Sequence, residues 1–319
     1  MKVLVTGANG FVGGAVWRRL VAEGWPVVGA VRKPYQHPEG VETRLVGPLG
    51  PNTPWMSALE GIDAVVHLAG RAHVMRETAS DPAAIFRTVN TEGTLHLARA
   101  AQRSGVRHLL FMSSVKVNGE TTTGQPFTFE DTPAPADAYG RSKWEAEQGL
   151  ARLVQSGDGH FRVTIFRPPL VYGPGVGGNF RQLLRAVASG LPLPLAAIDN
   201  RRSLIFVDTL ADAVAVALRE PGGACETFLL SDGEDVSTPD LFRRLAHAMG
   251  RPARLWPLSP SLLLRIGALA GREAALRRLT ESLQVRGTAF RKRFDWIPPK
   301  TLDQGLAETA AWFTGLPKG

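Results

Sequence analysis

A strand, a glycine-rich turn and a helix follow one another at the start of the chain. The apolar run at residues 2–6 leads into Gly7, Gly10 and Gly13, and apolar residues then recur at helical spacing over residues 11–20. Glycine at such a turn lets the chain bend sharply, lets its backbone approach phosphate groups and lets the helix pack against the strand. The first N–H groups and the positive dipole end of that helix favour an anion. We therefore predict a dinucleotide site here, and an ordinary tight turn is the alternative.

The same alternation of strand and helix continues through the first half of the chain. Apolar, β-branched runs occupy residues 2–6, 27–31, 64–68, 107–112 and 162–166. Strands separated by helices pair in parallel, so we predict an α/β fold with a Rossmann-type doubly wound parallel sheet. At 319 residues and 44% hydrophobic, the chain can bury a full core. We expect residues 1–168 to form mainly the dinucleotide-binding domain. Residues 169–319 should form mainly a smaller C-terminal substrate-binding lobe, with some segments returning to the sheet.

The second predicted strand ends at Arg32 and Lys33, close to where the adenosine ribose of a cofactor would lie. A cofactor without a 2′-phosphate usually meets an acidic side chain at this point, whereas a guanidinium suits a phosphate dianion. The sequence therefore favours NADP(H) as the cofactor. NAD(H) is the alternative, in which Arg32 stacks on the adenine or lies in solvent.

Tyr139 and Lys143 are four residues apart on a predicted helix, so both lie on one face. An ammonium beside a phenol lowers the pKa of the phenol, which predicts that Tyr139 is a general acid or base. Lys143 is also placed to hold the nicotinamide ribose. Ser114 follows the strand at residues 107–113, at the edge where open parallel sheets bind ligands, and its hydroxyl can hydrogen-bond the reacting oxygen. The alternative is an ordinary exposed pair on an amphipathic helix.

Taken with four further motifs, these residues resemble the extended short-chain dehydrogenase/reductase family of nucleotide-sugar epimerases, dehydratases and reductases. The motifs are TGANGFVG at residues 6–13, DAVVHLAG at 63–70, VNTEGT at 89–94 and RPPLVYGPG at 167–175. The resemblance implies that Ser114, Tyr139 and Lys143 are the catalytic triad. The cofactor-binding residues that it implies, together with Arg32, are Gly7, Asn9, Gly10, Phe11, Val12, Gly13, Leu68, Ala69, Gly70, Asn90, Tyr139, Lys143 and Pro168. It also implies a homodimer through helices at residues 79–104 and 138–155.

Two departures from the family pattern bear on the activity. The sequence GPL at residues 47–49 stands where many members carry Gly-Asp-Leu, whose Asp contacts the adenine. Ser114 is followed by Val115 and Lys116, whereas 4,6-dehydratases carry an Asp-Glu pair there with which they eliminate water. Dehydration of a sugar is therefore disfavoured.

The resemblance places Ser114, Asn179 and Arg202 at a nucleotide-sugar substrate, with Arg202 against the pyrophosphate. The alternatives are a helix N-cap for Asn179 and a solvated turn for Arg202. A narrower similarity is to reductases and epimerases of bacterial surface-polysaccharide assembly. We accordingly expect NADPH-dependent reduction at C4 of a UDP-4-keto-6-deoxy-hexose or hexosamine. A UDP-hexose 4-epimerase with tightly bound NAD is the main alternative, and a non-catalytic nucleotide-binding protein is a more remote one.

Composition disfavours several other classes of function. The net charge of +8 comes from dispersed arginines without a long basic run, which disfavours nucleic acid as a partner. One cysteine, Cys225, excludes an internal disulfide framework, and seven histidines without ligand spacing disfavour a metal site. The chain starts directly with a strand, so we expect no signal peptide and a cytoplasmic location. The apolar stretch at residues 261–271 is too short to span a membrane; we expect it to pack within the lobe in preference to forming an amphipathic surface or oligomer helix.

Overall fold

A parallel sheet with helices on both faces forms the centre of the molecule. The computed structural model describes residues 1–34, 42–72, 81–157, 159–220 and 222–316. The strands are β1 (Val3–Thr6), β2 (Val27–Val31), β3 (Glu42–Leu45), β4 (Ala64–His67), β5 (His108–Met112), β6 (Arg162–Arg167), β7 (Leu170–Tyr172), β8 (Arg202–Phe206), β9 (Cys225–Leu229) and β10 (Asp235–Val236). The helices are α1 (Phe11–Ala22), α2 (Pro82–Phe86), α3 (Gly93–Arg103), α4 (Ala138–Gln155), α5 (Gly178–Ser189), α6 (Val207–Arg219), α7 (Thr238–Ala248), α8 (Pro260–Leu269), α9 (Glu273–Thr280), α10 (Thr288–Phe294) and α11 (Leu302–Thr314).

Seven of these strands pair in parallel in the order β3-β2-β1-β4-β5-β6-β9, which confirms the predicted Rossmann-type sheet. The five predicted strands are all present, and each observed boundary lies within one residue of the prediction. The sequence does not predict β3 and β9, which form the two edges of the sheet. Both carry polar residues that are incompletely buried, so they lack the continuous apolar run of the inner strands.

The helices cover both faces of the sheet. Alternate residues of β1 face opposite ways, since Val3 and Val5 pack with α1 and α6 whereas Leu4 packs with α3 and α4. The strand order reverses between β1 and β4, and such a reversal leaves a crevice at the carboxyl ends of the strands. The segments that leave β1, β4 and β5 at this edge contain the predicted residues at positions 7–13 and 68–70 and Ser114.

A smaller sheet, with the strand order β10-β8-β7, packs with α5, α7 and α11 around a second hydrophobic cluster. Tyr172 is fully buried there. Its ring stacks on Phe180 at a centroid distance of 5.5 Å, and its hydroxyl donates to Asp232 at 2.8 Å. Because β9 follows β7 and β8 in the chain but pairs with β6, the chain after residue 168 contributes to both sheets.

Helix α8 differs from the sequence prediction. The expected packing of residues 261–271 within the lobe is wrong for most of this helix: Leu263 and Gly267 are buried, whereas Leu262, Ile266 and Leu269 are exposed. The reason is that α8 packs mainly against α9, along one narrow face. None of the helices in the described ranges is both long and apolar enough to cross a membrane.

Candidate active site

The turn between β1 and α1 requires glycine for steric reasons. Gly7 has a φ of +68°, and its carbonyl accepts the N–H of Gly10 at 2.9 Å. A Cβ on Gly13 would lie 2.0 Å from the Gly7 oxygen, so any side chain there would displace the turn. Gly10 is the N-cap of α1 and has no side chain with which to cap the first turn. The turn and the helix N-terminus therefore form a cradle that fits the pyrophosphate of a dinucleotide.

The other predicted residues of this region lie around the cradle. Asn9 is exposed in the turn, and Phe11 and Val12 are half-buried at the start of α1. Arg32 and Lys33 are exposed directly after β2, on the neighbouring strand. Their contact with a cofactor ribose remains a prediction, as does the choice between NADP(H) and NAD(H).

A buried hydrogen-bond network holds the turn after β4 against the turn after β1. Thr6 Oγ1 accepts the N–H groups of Leu68 and Ala69, each at 3.1 Å. It also bonds His67 Nδ1 at 2.7 Å, while His67 Nε2 bonds Thr94 Oγ1 at 3.0 Å. Burial, and to a smaller extent the charge of Lys143, lowers the pKa of His67 to about 3, so the imidazole is neutral. The sequence prediction did not include His67, for which the available signal was a titratable residue at the end of an otherwise apolar strand.

Asn90 joins this turn to helix α4. It lies in a π-helical turn, Arg87–Glu92, a rare conformation that is frequent at functional sites. Its Oδ1 accepts the Arg71 N–H at 2.8 Å, and its Nδ2 donates to Ser142 Oγ at 3.0 Å. A Cβ on Gly70 would lie 3.0 Å from Asn90 Oδ1 and 3.4 Å from Lys143 Nζ. The structure therefore brings three predicted residues, Gly70, Asn90 and Lys143, to one place.

The predicted triad also meets at this edge. Ser114 begins the short helical turn Val115–Val117 after β5, and its hydroxyl hydrogen-bonds that of Tyr139 in the first turn of α4. Asp137 caps α4 by accepting the Gly140 N–H at 2.7 Å, which fixes the start of the helix. Lys143 lies one turn beyond Tyr139 on the same face.

The predicted lowering of the Tyr139 pKa by Lys143 is wrong in this structure. Burial is the largest effect and raises the pKa of Tyr139 to about 12; the hydrogen bond from Ser114 opposes it and the charge of Asp137 adds to it. The Lys143 ammonium instead donates to the Met112 carbonyl at 2.8 Å. Burial lowers the pKa of Lys143 to about 8, against the raising effect of Glu147. Tyr139 is thus a protonated acid at neutral pH, beside a buried lysine that retains most of its charge.

A buried ion pair that the sequence did not predict holds together the elements that carry the triad. Glu147 and Arg167 have side chains only 3% and 4% exposed, and Arg167 Nη2 lies 2.5 Å from Glu147 Oε2. Ser113 donates to the same carboxylate, and Arg167 Nη1 donates to Asn118 Oδ1 at 3.0 Å. The signal in the sequence was the spacing of Tyr139, Lys143 and Glu147, which are successively four residues apart. The pair ties α4 to β6 and to the segment that carries Ser114.

Lys116 occupies part of the position where the dehydratases carry their acids. Its half-buried ammonium donates to Asp137 and, at 2.9 Å, to Glu120. Lys116 therefore offsets the negative charge of Asp137, two residues before Tyr139. The segment after Ser114 thus contains a lysine paired with two carboxylates, and the absence of sugar dehydration remains a prediction.

The predicted substrate residues lie in the lobe. Asn179 is exposed as the second residue of α5, and the N-cap is Gly177, so the N-cap alternative for Asn179 is wrong. Arg202 is largely buried, and its Nη1 donates to the carbonyls of Arg278 and Glu281 at 2.8 and 2.9 Å. It therefore anchors the C-terminal end of α9, and the alternative of a solvated turn is also wrong.

Pro168 connects the lobe to the triad. It is buried after β6, and its carbonyl accepts the N–H of Val115 at 3.0 Å. Since Val115 directly follows Ser114, this bond fixes the position of the serine relative to the chain that enters the lobe.

The comparisons with known proteins agree with this geometry. The model of the NAD dependent epimerase/dehydratase family matches residues 3–228. A UDP-glucose 4-epimerase of Vibrio cholerae is 40% identical over 315 residues, which cover 98% of this chain and 95% of the relative. An N-acetyl-alpha-D-glucosaminyl-diphospho-ditrans,octacis-undecaprenol 4-epimerase of Escherichia coli O157:H7 is 26% identical, with 97% and 94% covered.

Solved structures show the same fold. A UDP-glucose 4-epimerase of Thermus thermophilus, solved as a complex with NAD, gives a TM-score of 0.77 at 24% identity and covers 99% of this chain and all of its own. The family model spans well over half of the sequence, and the Vibrio cholerae relative is aligned over nearly all of it. The chain therefore belongs to the NAD-dependent epimerase/dehydratase family of enzymes.

Proposed function

We propose that the protein is a 4-epimerase of a UDP-linked hexose that works with bound NAD. The observation that carries this proposal is the Ser114–Tyr139–Lys143 group, in a chain that is 40% identical to a UDP-glucose 4-epimerase along nearly its whole length. The sequence alone favours reduction by NADPH; the relatives favour the epimerase alternative, since both of those described above are 4-epimerases by name.

The glycine turn at Gly7 and the N-terminus of α1 support a dinucleotide site, because a Cβ on Gly13 would lie 2.0 Å from the Gly7 oxygen and would displace the turn. NAD, when bound, supplies reversible hydride transfer at C4 and a positive ring charge that favours the tyrosinate. Tyr139 then takes the proton from the C4 hydroxyl and later returns it. Ser114 steadies the C4 oxygen through its hydroxyl, and Lys143, held at the Met112 carbonyl, is placed to bind the nicotinamide ribose.

We propose that the sugar nucleotide lies between this edge of the sheet and the lobe, with residues 1–168 holding the dinucleotide and residues 169–319 the substrate. Arg202 and Asn179 are the proposed contacts to the UDP part. A guanidinium has five N–H groups, and the two carbonyl contacts of Arg202 use Nη1. The side chain can therefore stay anchored to α9 while it binds a phosphate.

The family resemblance also leads us to propose a homodimer through the helices at residues 79–104 and 138–155. Residues 79 and 80 of the first range lie outside the described residues. The mass of the purified protein in solution tests this proposal directly.

Arg32 favours a second candidate, an NADPH-dependent 4-ketoreductase. The exposed guanidinium follows β2, where a 2′-phosphate would need a cation. On this proposal the Arg32→Asp variant should shift cofactor preference toward NAD(H). An unchanged preference would place Arg32 outside the phosphate pocket and remove the support for this candidate.

The first experiment is to denature the freshly purified protein and identify the nucleotide that it releases. Stoichiometric NAD, together with interconversion of UDP-glucose and UDP-galactose without added cofactor, would support the epimerase. An empty protein that binds NADPH much more tightly than NADH, and that reduces UDP-4-keto-6-deoxy-hexoses, would support the reductase instead. The Tyr139→Phe variant is the control that assigns either activity to this site.

A further inference from the structure

Helix α8 presents an apolar stripe to solvent. Leu262, Ile266 and Leu269 are 45%, 50% and 92% exposed, and their spacing of four and three residues places them on one side of the helix. Trp256, just before the helix, is 45% exposed. The adjacent face of α8 is occupied, because Gly267 lies against Leu276 of α9. The apolar stripe is therefore not the face by which α8 packs against the rest of the protein.

Arginines surround this stripe. Residues 251–281 contain six arginines and two glutamates and lack lysine and aspartate, which leaves an excess of four positive charges. Both glutamates, Glu273 and Glu281, pair with Arg277, at 2.8 and 3.1 Å. Arginines exposed elsewhere in the segment include Arg254, Arg265, Arg272 and Arg278. Arg265 lies on α8 itself, beside the apolar stripe.

We propose that α8 and Trp256 bind the surface of an anionic lipid bilayer. Apolar side chains on one side of a helix, flanked by arginines and a tryptophan, suit the boundary between acyl chains and head groups. The apolar side chains would enter that boundary while the guanidinium groups remain at the level of the lipid phosphates. A helix of ten residues is too short to cross the bilayer and lies in its plane.

The charges argue against a second copy of the chain as the partner. In a symmetric dimer through α8, the same patch would face itself, and the arginines around each stripe would meet those of the other. Like charges in that arrangement repel, whereas a bilayer that contains phosphatidylglycerol supplies the opposite charge. Charge complementarity therefore favours the lipid surface.

Binding in this way would place the substrate lobe beside the membrane. Helix α9, against which α8 packs, and the residue that follows it contribute the carbonyls that hold Arg202. The lipid-facing helix and the proposed pyrophosphate ligand thus belong to one pair of packed helices. The proposal itself rests on the surface of α8 and stands whatever substrate the active site takes.

The test is sedimentation of the full-length protein with vesicles of equal parts phosphatidylglycerol and phosphatidylcholine, and with vesicles of phosphatidylcholine alone. We expect binding to the anionic vesicles that weakens as salt is raised. Arg265→Gln combined with Arg272→Gln should weaken it by roughly thirtyfold, since each arginine near an anionic surface contributes slightly more than about fivefold. Leu262→Ser, Ile266→Ser and Leu269→Ser together should abolish binding.

Matched controls distinguish binding through the α8 surface from binding through the overall charge of the protein or through any exposed apolar side chain. Ile297→Ser removes another apolar side chain, 82% exposed, and should leave vesicle binding unchanged. Arg18→Gln combined with Lys292→Gln removes two exposed charges elsewhere and should weaken binding much less than the α8 pair. Equal weakening by both charge pairs would overturn the proposal, as would absence of binding to anionic vesicles. A triple serine variant that dissociates a lipid-free oligomer of the wild-type protein would assign the stripe to a second copy instead.

Discussion

Replacing Glu147 with glutamine removes the charge that faces Arg167 beneath the active site. Three contacts of 2.5 to 3.2 Å join the guanidinium to the carboxylate, and both side chains are buried. Removal of one partner of such a pair typically costs about 3–5 kcal/mol, because the other charge stays buried without compensation. Since glutamine keeps one oxygen for hydrogen bonding, we expect the Glu147→Gln variant to lose about 3 kcal/mol in free energy of unfolding.

The same substitution changes the ionisation of Lys143. The charge of Glu147 raises the pKa of Lys143, against the burial that lowers it to about 8. Without that charge the pKa of Lys143 falls further, so the ammonium loses its proton at a lower pH. If the charged form of Lys143 supports proton transfer by Tyr139, the fall of kcat at alkaline pH begins at a lower pH in the Glu147→Gln variant than in the wild type. A merely structural role of Glu147 would leave this alkaline limb of the kcat profile in place.

Urea unfolding and a pH profile of kcat measure the two effects. The matched control is Glu145→Gln on the same helix, whose partly exposed carboxylate lies 3.6 Å from Arg87 and should contribute at most about 1 kcal/mol. Glu147→Met combined with Arg167→Met should recover much of the lost stability, because a buried ion pair can be replaced by apolar groups at little cost. Equal losses for Glu147→Gln and Glu145→Gln, with an unchanged alkaline limb, would refute the reasoning.

Three further predictions concern the site. Tyr139→Phe should lower kcat by about 10²- to 10⁴-fold while the affinity for cofactor, measured by fluorescence titration, stays nearly the same, and retained turnover would exclude Tyr139 as the acid. Gly13→Ala should abolish dinucleotide binding, because its Cβ would lie 2.0 Å from the Gly7 oxygen. The control Gly14→Ala should bind the dinucleotide normally, since its nearest contact is the flexible end of a side chain at 3.4 Å. Equal binding by the two variants would contradict the proposed dinucleotide site at this turn. Because His67 is held neutral with a pKa of about 3, the unfolded chain binds the extra proton, and stability should fall by at most about 1.4 kcal/mol per pH unit between pH 6.5 and 3. The urea midpoint of the His67→Gln variant should depend less on pH over that range than the midpoint of the wild type. If the midpoints of both proteins change equally with pH, His67 does not titrate as stated.

The elements that the sequence predicts well are those whose signal is local. The inner strands are continuous apolar runs because both of their faces are buried, so their boundaries can be read to within one residue. The edge strands Glu42–Leu45 and Cys225–Leu229 carry polar side chains and give no such signal. The placement of β9 beside β6 also depends on a chain path through the lobe that periodicity does not encode.

For the site, residue spacing, the expected edge of a parallel sheet and the family resemblance together predicted that Ser114, Tyr139 and Lys143 meet. Parallel strands bring their carboxyl ends to one edge, and a separation of four residues sets two side chains on one helix face. The direction of the pKa shift of Tyr139 could not be obtained in this way. It depends on burial and on the Met112 carbonyl that Lys143 finds, and both are properties of the packed molecule.

The sequence by itself predicted the class of fold and the glycine turn, because both depend on local patterns, and it predicted the members of the acid–base group from helix spacing together with the family resemblance. Only the tertiary structure decided that Glu147 pairs with Arg167, that Arg202 anchors α9, and that α8 turns its apolar side outward. The first two contacts join residues that are 20 and about 80 positions apart in the chain. The exposure of α8 depends on which of its faces a neighbouring helix covers. Burial sets the strength of such contacts, and burial is fixed only when the whole chain has packed.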